Sequence, residues 1–162
     1  MIRYARPADH PAIDRLVTDA FGRDAESRLV SLLRADGDVL FELVSLGDET
    51  INGHILFSRM WADREGLYAA LGPVAVRPDA QRTGIGASLM RAALQVAGEF
   101  GVQGVILLGH PTYYPRFGFS TEATRQVRSS YSGNPAFMGL AIEPGAFDAP
   151  MTAAFADAFD RI

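Results

Sequence analysis

The sequence predicts one α/β domain over residues 1–162, built on a mixed β-sheet with helices on both faces. Three observations carry that expectation. Apolar residues recur at helical spacing in three stretches, two early and one mid-chain. Two apolar runs, residues 39–46 and 51–61, flank the turn sequence Gly47-Asp48-Glu49-Thr50, the pattern of an antiparallel hairpin. A further run, residues 71–76, leads through a polar loop into the mid-chain helix and on to an apolar strand at 105–108, which is how parallel strands are joined. Both kinds of connection in one chain make the sheet mixed.

The elements follow in order. Residues 2–6 read as a first strand. Asp9 is placed to cap a helix whose Ile13, Leu16, Val17, Ala20 and Phe21 form one apolar stripe. Asp24 begins a shorter helix carrying Leu29, Leu32 and Leu33. After the hairpin, Asp63-Arg64-Glu65-Gly66 is a loop, and residues 68–76 are a strand closed by Arg77-Pro78. The third helix carries Leu89, Met90, Ala93, Leu94, Ala97 and Phe100. Residues 124–130 and 137–142 read as two late strands flanking Ser132-Gly133-Asn134-Pro135. Met151, Phe155 and Phe159 have the i, i+4 spacing of a short terminal helix. The chain contains no repeat, linker or low-complexity segment.

Composition narrows the function classes. At 162 residues and 48% hydrophobic, the chain can bury a single core without disulfides or metals. No apolar run reaches the ~18 residues of a membrane span, and the N-terminus lacks the shape of a signal peptide. There is no cysteine, so neither a disulfide framework nor a thiolate metal site is expected, and a cytoplasmic location is. The net charge is −4, and the arginines are scattered without a basic stripe. Neither nucleic acid nor membrane is an expected partner. His10, His54 and His110 stand singly, with no metal-ligand spacing.

The polar loop Gln81-Arg82-Thr83-Gly84-Ile85-Gly86 carries the chemistry. A loop that opens a helix leaves several backbone N–H groups without intrahelical partners, and the helix dipole makes them an anion site. Glycine at 84 and 86 removes the Cβ atoms that would hold a phosphate away from the backbone. A Walker loop is excluded because the chain has no lysine. A dinucleotide fingerprint is excluded because Leu89 stands where its third glycine would be. Upstream, Pro73 cannot donate a ladder hydrogen bond and Gly72 weakens strand packing, so this strand is expected to bulge or lose pairing near its middle.

The loop resembles the Gln/Arg-x-x-Gly-x-Gly/Ala element of the GCN5-related N-acetyltransferases (GNAT), with Gln81, Gly84 and Gly86 at the matching positions. The segment Pro111-Thr112-Tyr113-Tyr114-Pro115-Arg116-Phe117-Gly118-Phe119 resembles that family's Tyr-x-x-x-Gly-Phe element, through Tyr114, Gly118 and Phe119. With Leu71-Gly72-Pro73-Val74-Ala75-Val76, these motifs look most like a bacterial subgroup of acetyltransferases with undefined substrates. The resemblance implies a splayed GNAT-like sheet and acetyl-CoA as acyl-donor co-substrate. Its pyrophosphate would rest on the backbone N–H groups of Arg82, Thr83, Gly84, Ile85, Gly86 and Ala87, with Gln81 opening the cofactor-binding loop, and its pantetheine arm would lie along Val74, Ala75 and Val76. It also implies an N-acetyltransferase whose partner is a small-molecule or peptide amine, working as a monomer or homodimer.

Within that resemblance Tyr114 takes the general-acid position, where a phenol can protonate the departing thiolate. Tyr113 is read as structural. Without cysteine or a Gly-x-Ser-x-Gly element, direct attack in a ternary complex is the economical route. Many relatives place a glutamate base on the strand before the loop, and here that region has no acid. His54, Glu42, Asp63, Glu65, His110 and water remain as candidate bases. A non-catalytic acyl-CoA sensor is the competing reading, followed by a longer acyl donor or an O-acceptor. Acceptor choice is expected to lie in residues 21–24, 63–66 and 129–135.

Overall fold

The computed structural model describes residues 1–162. Its strands are β1 (Ile2–Tyr4), β2 (Val39–Gly47), β3 (Thr50–Ala62), β4 (Leu67–Val76), β5 (Val102–Leu108), β6 (Val127–Arg128), β7 (Phe137–Ala141) and β8 (Met151–Ala154). Its helices are α1 (His10–Phe21), α2 (Ala25–Asp36) and α3 (Ile85–Glu99). The main sheet runs β1-β2-β3-β4-β5-β7, with β8 bridging β3 and β6. β4 and β5 are parallel, as are β6 and β8, and the other pairs are antiparallel. The hairpin turn holds Asp48 and Glu49 at φ 51° and 63°, the left-handed pair that matches strand twist.

Helices cover both faces. α3 lays Leu89, Met90, Ala93 and Ala97 on Phe41, Ile55, Phe57, Ala69 and Leu71. Gly53 sets how close this helix comes: a Cβ there would lie 2.8 Å from Leu89 Cδ1 and 2.9 Å from Ile85 Cγ2. On the other face Ile13 and Val17 of α1 meet Val44 and Ala75, while Leu29, Val30 and Leu33 of α2 meet Leu56.

β4 carries a bulge at the predicted place. Ile55 pairs with Val74 and Phe57 with Leu71, so two residues of β4, Gly72 and Pro73, oppose the single Leu56. Gly72 sits at φ 135°, a conformation open to glycine and strained for any other residue. The extra residue flips the side-chain alternation. Leu71 packs toward α3, whereas Ala75 packs toward α1. On its other edge β4 pairs with β5 only from Leu67 to Ala70, and beyond Ala70↔Ile106 the two strands part.

Four expectations need correction. Asp9 precedes α1 without capping it by its side chain, because its carboxylate is taken by Arg3 and the Arg6 N–H. The first late strand shrinks from 124–130 to Val127–Arg128, since the Thr124 hydroxyl bonds Thr121 O and Phe137 O in a turn. The tail is not one helix. Met151 and Ala153 are buried in alternation as β8, which hydrogen-bonds through Thr152 N to Asp63 Oδ1, and a 3-10 turn (Asp157–Asp160) follows. Phe100 lies just past α3, 47% exposed, with its ring on Phe41 at 5.2 Å.

A polar chain ties α2 to the sheet. Glu42 accepts two hydrogen bonds from Arg34, at 3.0 and 2.8 Å, and one from the buried His54 Nε2 at 2.8 Å. Burial alone would push Glu42 upward, but the bonds from His54 and Arg34 outweigh it and hold the carboxyl at about 2. Burial pushes His54 below the ordinary 6.5, so its neutral ring donates through Nε2–H and leaves Nδ1 without a partner.

Glu42's depressed pKa contributes stability that is complete above the ordinary 4.5 and is lost as pH falls toward 2. His54 is held neutral in the fold, so stability also falls once the unfolded imidazole protonates below 6.5. Urea denaturation should show a midpoint that declines from about pH 6.5 downward. At neutral pH, Glu42→Ala should cost about 3 kcal/mol by stranding Arg34 and the His54 N–H.

Candidate active site

The loop leaves an open backbone cradle at the start of α3. Gly84 at φ 90° is the N-cap of α3, with no side-chain cap. The first helical bond runs from Ser88 N to Gly84 O, so the N–H groups of Ile85, Gly86 and Ala87 have no intrahelical partner. They face a cavity of about 460 Å³ lined also by Val76, Gln81, Arg82, Tyr113 and Arg116. No acidic side chain lines it. Arg82 is itself left-handed at φ 65°, which together with Gly84 shapes a backbone nest.

Two predicted loop residues serve the loop's own shape. Thr83 Oγ1 donates to Ala80 O at 2.5 Å, and the residue does not line the cavity. The Gln81 side chain lines it while donating to Val76 O at 3.0 Å, latching the loop to the end of β4. Arg116 was not singled out from the sequence. Its guanidinium stacks 4.4 Å from the centroid of the Tyr113 ring and donates to Tyr113 O, which fixes a cation beside the cradle. In the sequence Arg116 is an arginine three residues after a tyrosine, and that spacing does not reveal the stacking.

The end of β4 offers free backbone groups. In an antiparallel ladder alternate residues aim their N–H and C=O to opposite edges. Arg77 N–H donates to Asn52 O, and Val76 pairs with Gly53. This phase turns the backbone groups of Val76 and Val74 away from β3, toward the edge that β5 has left. Gln81 takes the Val76 carbonyl, so the Val74 N–H and C=O and the Val76 N–H remain. Ala75 is different. It faces His54 across the ladder, and its side chain is buried under α1.

A second cavity, about 450 Å³, opens at the fork of β4 and β5 and is lined from both layers. Leu71, Gly72, Pro73 and Val74 meet Leu108, Gly109, His110 and Tyr114 there, and Phe21, Glu26, Leu29, Phe155 and Phe159 close the α2 side. Val74 lines this cavity and Val76 the cradle, so the unpaired end of β4 lies between the two. Tyr113 and Tyr114 repeat that division, with their rings edge to face at 5.1 Å.

Tyr114 sits in the 3-10 turn Tyr114–Phe117, and its hydroxyl makes no hydrogen bond within the protein. Burial, with Tyr113 beside it, raises its phenol above the ordinary tyrosine range, so it is protonated at neutral pH. Gly109 makes room for it. A Cβ there would lie 2.3 Å from Tyr114 Cε2, a constraint that sequence reading missed because no turn motif marks it.

Among the candidate bases, only His110 lines the fork cavity. His54 and Glu42 are locked together beneath α1 and α2, and Asp63 holds Thr152 N. Glu26, not considered from the sequence, is the carboxylate that lines the cavity. A further cavity of about 470 Å³ between α1 and the hairpin is lined by Arg3, paired with Asp9, by Arg77, paired with Asp79, and by Arg15.

Residues 8–119 match the acetyltransferase (GNAT) family. An uncharacterized N-acetyltransferase of Escherichia coli, YhbS, is 36% identical over 135 residues, 82% of this chain and 81% of the relative. The crystal structure of YhbS in complex with CoA superposes with a TM-score of 0.92 at 31% identity, covering 100% of this chain and 92% of that one. A GNAT family acetyltransferase from Brucella melitensis in complex with acetyl-CoA gives 0.82 at 33%, covering 99% and 97%.

Gly109→Ala should displace the Tyr114 ring and cost about 1–3 kcal/mol in overpacking. Freed from burial, the phenol should titrate closer to an ordinary tyrosine, read as phenolate absorbance against a Tyr114→Phe background. An unchanged titration would show that the ring keeps its place.

Proposed function

The chain belongs to the acetyltransferase (GNAT) family, and we propose that it transfers the acetyl group of acetyl-CoA to a primary amine by direct attack in a ternary complex. The observation that carries this reading is the division of one site into two cavities by the unpaired end of β4. An acid-free cradle of backbone N–H groups and two arginines suits the pyrophosphate. The free backbone groups of Val74 and Val76 suit the amides of a pantetheine arm, as an added strand would. The fork cavity is left for the acceptor. The relatives crystallised with CoA and acetyl-CoA support the same donor.

The chemistry then needs few parts. The neutral amine nitrogen attacks the thioester carbonyl carbon, and its oxygen gathers negative charge. A free N–H at the end of β4 is the donor available to stabilise that oxyanion. The C–S bond breaks as the oxyanion collapses. The thiolate takes the Tyr114 phenol proton, which burial keeps in place at neutral pH. The amine's surplus proton leaves through the fork cavity, where His110 and Glu26 stand, and the phenolate is reprotonated from solvent. Nothing here requires a covalent acyl-enzyme.

Gly84→Glu puts bulk and negative charge into the cradle. Calorimetry should show acetyl-CoA binding weakened by at least about 1–3 kcal/mol in a folded variant. Unchanged affinity would remove the cradle from the site. Tyr114→Phe keeps the ring and deletes the proton. Steady-state rates should fall about 10²–10⁴-fold in kcat with acetyl-CoA affinity preserved. A variant with full turnover would make water the acid and Tyr114 a packing residue.

A further inference from the structure

The fork cavity has an unusual mixture of walls. Phe21, Leu29, Leu71, Phe155 and Phe159 make it apolar, and its mouth keeps large apolar side chains in water, with Phe21 41% and Leu108 38% exposed. Against these stands one carboxylate, Glu26, whose side chain is 13% exposed. No arginine lines the cavity, and its other ionisable side chains are His110 and the Tyr114 phenol. Phe155 and Phe159 contact each other at 5.1 Å, and Tyr131 abuts Phe155 at 5.5 Å, so the aromatic wall is continuous behind the cavity.

Glu26 is held in place. Arg23 Nε and Nη2 donate to its two oxygens at 2.9 and 2.5 Å. Each carboxylate oxygen has two acceptor sites, so the Arg23 fork leaves one on each for a ligand. Arg23 is two-thirds exposed and absent from the cavity wall, which puts the cation outside and the carboxylate inside. The first turn of α2 further favours a negative charge at this position.

We propose that this cavity selects a small-molecule amine with a single amino group on an apolar or aromatic body, and that Glu26 is the residue that binds it as the ammonium, which gives one N–H proton to solvent at the cavity mouth before the neutral amine attacks. The inference rests on the transferase reading for which cavity receives the acceptor. A cavity of about 450 Å³ matches a small ligand. A polyamine would leave its further ammonium groups facing phenylalanine and leucine, at the cost of burying unpaired charge. A free amino acid would bring a carboxylate to a wall without a guanidinium. A polyhydroxylated amine would find few hydrogen-bond partners there.

The test compares phenethylamine, spermidine and glycine, each with acetyl-CoA, and measures phenethylamine binding to the protein–CoA complex by calorimetry. Phenethylamine should have a kcat/KM at least about tenfold above the other two, the order of discrimination that one unpaired buried group imposes. Glu26→Gln should raise its KM and weaken its binding about tenfold or more, with acetyl-CoA affinity unchanged. Glu26→Asp should recover part of that binding, which a purely structural role would not require. Preference for spermidine or glycine, or a Glu26→Gln variant with wild-type KM, would overturn the inference and leave the transferase reading standing. Phenethylamine binding that depends on Glu26 without any acetyl transfer would do the reverse. Absence of both binding and turnover would overturn it outright.

Discussion

Opposite Leu56, β4 carries two residues where an unbroken ladder would carry one, and the geometry of the site depends on that insertion. Gly72 supplies the positive φ and Pro73 withholds an N–H, so the strand bends just as its pairing with β5 ends at Ala70. The bulge turns Ala75 into the α1 layer and leaves Val74 and Val76 with backbone groups that no strand satisfies. Unpaired backbone is costly unless water or a ligand meets it. Here it sits between the acid-free cavity at the start of α3 and the apolar fork cavity, so one local irregularity creates both the slot and its two mouths.

The rest of the fold holds that opening in place. Gly53 lets α3 come close enough that Ile85 and Leu89 rest on the sheet, which sets the helix N-terminus beside Val76. Gln81 latches the loop to the Val76 carbonyl, and Thr83 closes the loop on Ala80. On the opposite face the Arg34–Glu42–His54 chain fixes α2 against β2 and β3, and α2 carries Glu26 to the fork. Gly109 and the aromatic contacts of Tyr113 do the same for Tyr114. Packing and charge thus converge on two adjoining cavities whose walls come from β4, α3, α2 and the turn after β5.

Much of this was legible in the sequence because its signals are local. The glycine loop, the Gly-Pro in a strand and the Tyr-Tyr-Pro-Arg-Phe-Gly-Phe run each state a backbone requirement within a few residues. Helical and hairpin periodicity placed α1, α2, α3, β2 and β3 to within a residue or two. The misses are tertiary. Phe155 and Phe159 share spacing with a helix, yet the segment before them pairs with β3 and β6 as a strand, a choice made by distant partners. Glu26 and Arg116 look like ordinary surface charges until the chain folds. Their places on the two cavity walls come from the folded chain, and sequence spacing carries no record of them. His54 and Glu42 drew attention as candidate bases and proved to be a buried pair.

We propose that the free edge of β4 beyond the bulge receives the donor as a strand would. Amide hydrogen exchange measured by NMR, with and without acetyl-CoA, tests it most directly. The N–H groups of Val74 and Val76 should exchange fast in the free protein and become protected when acetyl-CoA binds, together with those of Ile85, Gly86 and Ala87. Protection of the loop amides alone, with Val74 and Val76 unchanged, would contradict it and reduce the site to a surface phosphate cradle.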